Sequence, residues 1–168
     1  MSVAAKKQES MAGAEFFAPD DGDRYDWQTG ERRKLEERPS LRLQWPKTDK
    51  ERRDLFEAWH GVAMQIVADA KGSYRTMAVL WRFIHWKSGS FFPTDETLAA
   101  CAGQCSEKTI SRDIRQYEAL GILEIELGWR RDRSGKWKRS RFMFPTIPRE
   151  LKDTVTLPVV ENHRDTSG

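Results

Sequence analysis

Apolar positions recur with a helical period over residues 55–70 and with a period of two over residues 123–129, and the remaining elements can be placed around these two stretches. In the first, Leu55, Phe56, Trp59, Val62, Ala63, Ile66, Val67 and Ala70 form one continuous stripe at a spacing close to 3.6. Thr48 or Asp49 supplies a cap before it, and Lys71-Gly72 closes it. A stripe of this size has to be covered, since each fully buried Leu, Ile or Phe contributes about 1.5–3 kcal/mol. The next helix or the same helix of a second subunit would serve. Ser73 then caps a segment expected to be helical from Tyr74 to Lys87. Its residues Met77, Ala78, Val79, Leu80, Trp81, Phe83 and Ile84 are apolar almost all round, which suits a central helix contacted from several sides. Ser88-Gly89 ends it, and Ser90-Phe91-Phe92 reads as a short strand that pairs with a later hairpin.

Two short helices follow. Thr94 caps the first, Asp95 and Glu96 lie in its opening turn, and Leu98, Ala99 and Ala102 give it a narrow face of small residues before Gly103 stops it. Ser106 caps the second, in which Ile110, Ile114, Tyr117 and Leu120 form an inward stripe and Gly121 ends the helix. Its other face carries Lys108, Thr109, Ser111, Arg112 and Arg115. Leu123, Ile125, Leu127 and Trp129 then alternate with Glu124, Glu126 and Gly128, the pattern of a half-buried strand. Ser134-Gly135 marks a turn, and Trp137 to Phe144 returns as the second strand.

Outside these elements the pattern is weak. Residues 1–47 show no sustained period and are expected to be an N-terminal arm, disordered or loosely docked through Phe16, Phe17, Trp27 and Trp45, with a short charged helix possible only over Gln28 to Arg38. Residues 48–71 are the amphipathic packing or dimerisation helix, residues 72–146 the main domain, and residues 147–168 a C-terminal tail, with a helical turn near Pro148 to Asp153.

Charge changes the picture through its distribution. The 168 residues carry a net charge of only +3. Residues 106–145, however, hold ten cations against six acids, whereas the segments before them are balanced. From Arg130 to Arg141 there are seven cations and one acid, Asp132. A local field of that kind attracts a polyanion even when the whole chain is nearly neutral. Two cysteines four residues apart suggest no disulfide framework, and a reduced cytoplasm fits them. No stretch has the length of apolar sequence that a membrane span needs, and Met1 to Met11 lacks the apolar centre of a secretory signal.

Candidate chemistry is sparse. His85, Cys101 and Cys105 have no fourth partner at a metal-ligand spacing, so small buried thiols and a surface or capping histidine are the better reading. No phosphate-binding loop, nucleophile elbow or His-Glu-x-x-His is present, and no catalytic site or cofactor is read.

The run Phe92-Pro93-Thr94, Leu98-Ala99, Ser106-x-x-Thr109-Ile110-x-Arg112 and Leu120-Gly121-Ile122-Leu123 resembles the winged helix-turn-helix domain of bacterial regulators and of plasmid and phage replication proteins, over roughly residues 73–145. The segment Gly103-Gln104-Cys105-Ser106 is one residue longer than the usual turn of that family. The resemblance implies a mostly α fold with a small β hairpin, a winged helix-turn-helix preceded by an extra amphipathic helix. It also implies a sequence-specific double-stranded DNA-binding protein in the cytoplasm, a transcription regulator of bacterial or mobile-element type. Ser106, Lys108, Thr109, Ser111, Arg112 and Arg115 are the expected groove-facing residues, and Arg130, Arg131, Arg133, Lys136 and Lys138 the expected wing contacts to phosphates or an adjacent minor groove. Expected partners are double-stranded DNA, a second copy through residues 48–71, and a protein bound by the N-terminal arm. Two other function classes stay open: a replication or recombination accessory factor that binds origin repeats and recruits proteins, and a protein-interaction module that uses the same fold without DNA.

Overall fold

Helix α1, Asp49–Asp69, begins where Thr48 turns extended and accepts the Glu51 amide on its hydroxyl at 3.4 Å. This comes from a computed structural model that describes residues 38–160. The expected arm up to residue 37, with Phe16, Phe17 and Trp27, and the tail from residue 161 lie outside the described residues. In α1, Leu55, Phe56, Trp59, Ala63, Ile66 and Val67 of the predicted stripe are buried. Trp59 is fully enclosed: its Nε1 donates to the Thr146 carbonyl at 2.9 Å, and its ring centre lies 5.6 Å from Phe56 and 6.1 Å from Phe91. The stripe is therefore covered by the sheet of its own chain. Pairing of two copies through residues 48–71 would have to use the polar side of α1.

That sheet has five antiparallel strands: β1 (Ser40–Arg42), β2 (Ile84–His85), β3 (Ser90–Phe91), β4 (Leu123–Arg131) and β5 (Trp137–Pro148). Strand β5 organises it. Its residues Trp137 to Pro145 pair with β4, Met143 opposes Phe91 of β3, and Thr146 to Pro148 oppose Arg42 to Ser40 of β1. Helices α2 (Arg75–Leu80), α3 (Asp95–Cys101) and α4 (Glu107–Ala119) complete the described fold, with 3₁₀ turns at Trp81–Phe83 and Arg149–Leu151. Met77, Leu80, Leu98, Ile110, Ile114, Tyr117, Ile122, Leu123, Met143 and Ile147 meet α1 in one continuous core.

The expectation of a mostly α fold with a small hairpin is overturned. Four α-helices sit with a substantial antiparallel sheet among the described residues, an α-plus-β arrangement. Three features produce the difference. Residues 38–47, expected in the arm, supply β1, whose Leu41 and the following Leu43 are buried. Strand β5 continues past Phe144 through two prolines. Proline lacks an N–H, but Pro145 needs none there, and its carbonyl still accepts from the Leu43 amide at 3.3 Å. Finally, the helix expected over Tyr74 to Lys87 stops at Leu80, and Ile84-His85 turns back on Phe91-Ser90 as a short hairpin. Gly89 permits that turn. Its φ is +69°, and a Cβ there would lie 2.4 Å from the Trp45 ring, which stacks over it while Trp45 Nε1 donates to the Trp86 carbonyl at 2.7 Å.

Candidate nucleic-acid interface

Helix α4 starts because Ser106 accepts the Thr109 amide at 3.2 Å, and it follows a turn with two residues in the left-handed region, Gly103 (φ +79°) and Gln104 (φ +56°). Ile110, Ile114, Tyr117 and Leu120 are buried as their spacing predicts. The helix is also fixed by a buried polar network that the pattern gave no sign of. The Thr76 hydroxyl donates to Asp113 Oδ2 at 2.9 Å, and Tyr117 Oη donates to the Ser73 carbonyl and accepts the Met77 amide at 3.2 Å. Burial pushes the Asp113 carboxyl up from its ordinary value, against the downward pull of Thr76, Arg75, Arg112 and Ser73. Burial, with the Asp113 charge next to it, pushes the Tyr117 hydroxyl up as well. These bonds tie α4 to the start of α2 and settle which side of α4 faces outward.

On that outward side, Lys108 and Arg115 are exposed, and Thr109, Ser111 and Arg112 are half-buried. Lys108, Arg112 and Arg115 follow at spacings of four and three and so form one ridge. Ser106 is exposed, but its hydroxyl lies 3.0 Å from that of Thr109, so both are engaged at the cap. Arg112 acts on the buried Asp113 charge, which leaves Lys108 and Arg115 as the more accessible cations of the ridge.

The hairpin of β4 and β5 has an inner and an outer half. Directly opposed residues of an antiparallel pair share a face. One face carries Leu123, Ile125, Leu127, Trp129 and Arg131 with Pro145, Met143, Arg141, Arg139 and Trp137; the other carries Glu124, Glu126, Gly128 and Arg130 with Phe144, Phe142, Ser140 and Lys138. The inner half is compensated. Arg42 of β1 reaches Glu124 at 3.0 Å and Glu126 at 2.7 Å while lying 3.8 Å over the Phe144 ring, and Arg141 pairs with Asp95 at the start of α3 at 2.5 Å. Among the described residues, the outer half is compensated only at Lys138, which meets Asp132 at 3.1 Å. Arg130, Arg131, Arg133, Lys136, Lys138 and Arg139 are all exposed.

The acid among them is used by the turn. Asp132 Oδ1 accepts the Ser134 amide at 2.9 Å, the Ser134 hydroxyl at 2.5 Å and the Lys136 amide at 3.0 Å, and Oδ2 meets Lys138 Nζ at 3.1 Å. The Ser134 hydroxyl, followed by Lys138, holds the Asp132 carboxyl well below the usual carboxylate range. Lys138 thus shares its charge with Asp132. Arg130 lies 5.3 Å over Phe92, and Arg131 lies 5.1 Å over Trp137.

The alternation predicted a half-buried strand, and at the outer end this is corrected. Leu127, Trp129 and Trp137 are 64%, 66% and 60% exposed. The hairpin outruns the helices that cover its inner half, so period two gives the face of these residues but not its cover. Trp137 and Trp129, which flank the basic loop, were not singled out by sequence reasoning as contact residues. Their signal is there: an aromatic residue on each side of the cationic turn. Among the described residues, no three His, Cys, Asp or Glu side chains gather as a metal site, and no helix is long and apolar enough to cross a membrane. Comparison with protein-family models, with curated proteins and with solved structures gave no match for this chain.

Proposed function

We propose that this protein binds double-stranded DNA sequence-specifically and acts as a transcription regulator. In this reading α4 enters the major groove, and the β4–β5 hairpin lies beside it as the wing that the sequence resemblance implied, carried on a larger sheet than expected. The observation that carries the reading is the outer hairpin. Six cations there are exposed, and the acid that accompanies them is consumed in holding the turn. The capped, outward ridge of Lys108, Arg112 and Arg115 supports it. Cations on a helix face suit base edges, with a bidentate arginine–guanine contact worth about 1–3 kcal/mol of discrimination. Cations on a loop suit phosphates and supply affinity.

Selection of binding sites from random duplexes, followed by footprinting on genomic fragments, tests the function. A palindrome at a promoter agrees with a regulator, repeated sites at an origin point to the replication role instead, and no footprint at low salt ends the DNA reading. With a selected site in hand, Arg115→Ala should flatten the difference between cognate and unrelated duplexes, while Arg133→Ala should weaken both alike. Equal, sequence-blind losses for the two variants would contradict this division between helix and hairpin.

A further inference from the structure

We infer that the outer hairpin face formed by Trp129, Trp137, Arg131 and Arg139 is a stacking platform for unpaired bases, so that the DNA preferred by this protein has a single-stranded segment next to its duplex. The inference rests on the reading that the hairpin meets DNA. Trp129 opposes Arg139 and Trp137 opposes Arg131, so all four side chains share one face with the two rings on a diagonal. Both rings are exposed by more than half, and the Arg131 guanidinium lies 5.1 Å over the Trp137 ring.

An indole left in water gains free energy by covering its flat face. A plain apolar partner would suit a face of aliphatic residues, but here each ring stands opposite a guanidinium, and the outer hairpin exposes six cations against one acid, Asp132. The complementary ligand is aromatic and anionic at once. Nucleotides have that chemistry. Within a duplex, base faces are hidden in the stack and only edges and phosphates are offered, so two tryptophan faces have nothing to cover. In an unpaired strand the base faces are open, and stacking on aromatic side chains beside a basic track is how such strands are held without sequence preference.

The test uses the full chain and three labelled probes: a blunt duplex, the same duplex with an oligothymidylate tail, and oligothymidylate alone, followed by fluorescence anisotropy. Tailed duplex should bind more tightly than blunt duplex. Trp129→Ala and Trp137→Ala should each lower affinity for the tailed probe at least about fivefold, the low end for one stacked base, while blunt duplex affinity changes less than about twofold. Trp129→Phe and Trp137→Phe, which retain a ring, should restore most of the preference, and unchanged thermal melting of the alanine variants confirms that they fold. Equal affinity for tailed and blunt probes, or equal losses on both, overturns the stacking platform while leaving duplex binding intact. A change from dimer to monomer in the alanine variants by light scattering would assign the face to a second copy instead and also overturn it. Failure of the wild type to bind any probe removes the DNA reading and this inference together.

Discussion

Replacing Arg133 and Lys136 together by alanine separates hairpin electrostatics from folding, because both side chains are exposed and neither packs on the core. The turn survives the change. Asp132 is held by backbone amides of Ser134 and Lys136, by the Ser134 hydroxyl and by Lys138, none of which the substitutions remove. Stability should therefore stay within about 0.5 kcal/mol. Binding should not. Each phosphate contact contributes a slope of about −0.9 in log K against log salt, so losing two flattens the slope by about 1.8. Scaled to 0.1 M salt, that is about 60-fold in affinity, or about 2.5 kcal/mol. Anisotropy titrations of a duplex at four or more salt concentrations give the slope directly. Arg141→Ala is the control. Its guanidinium already pairs with Asp95, so the slope should hold while stability falls by about 1–2 kcal/mol. An unchanged slope in the loop variant, or a flattened slope in Arg141→Ala, would refute the assignment of charge to the outer hairpin.

Two further outcomes concern the scaffold behind the site. Asp113 is raised in the folded state by burial, so the folded protein holds that proton more tightly than the unfolded chain; the resulting stabilisation is full below about pH 4 and is lost as pH rises through the folded value. Asp113→Asn keeps an acceptor for Thr76 and removes the titration, so in urea melts the wild type should gain on the variant as pH is lowered from about 7 to about 4, and wild type losing ground would contradict the buried network. Trp59→Ala empties the centre of the contact between α1 and the sheet and leaves the Thr146 carbonyl without its donor; denaturant midpoints should report a loss of about 3–5 kcal/mol, and a loss below about 1 kcal/mol would mean that α1 is not seated as described.

Local structure is legible in the sequence where a short stretch contains its own explanation. Thr48, Thr94 and Ser106 each sit just before a helical stripe, and each accepts a backbone amide of the first turn. The buried stripes of α1 and α4 follow from spacing alone, because a helix has one face to hide. Elsewhere tertiary partners decide. Met77 to Ile84 is apolar almost all round, and its end, Trp81, Phe83 and Ile84, suits a buried helix or a paired strand equally; Phe91 and the turn at Gly89 decide for the strand at Ile84-His85. Strand β1 is three residues long, too short for any period, and exists because Thr146 to Pro148 offer it a partner. Asp113 looks like one more acid in a charged helix until Thr76, distant by 37 positions, supplies its hydrogen bond.

The hairpin shows the same division within a single element, and it bears directly on function. Alternation assigns Leu123 through Trp129 to one face correctly, from the buried Leu123 to the exposed Trp129. What alternation lacks is length. Helix α3 reaches the hairpin as far as the Asp95–Arg141 pair, and from Leu127 outward the same apolar face enters solvent. Inside that boundary, acids are matched by Arg42 and arginine by Asp95, so charge is spent on holding the fold. Outside it, cations and indoles are exposed to solvent, and the one carboxylate is bound into the turn. Shortening the hairpin to that boundary should leave the core in place and the α4 ridge intact while removing the phosphate contacts assigned to the hairpin, so a shortened chain that melts like the wild type and binds duplex as tightly would refute that assignment.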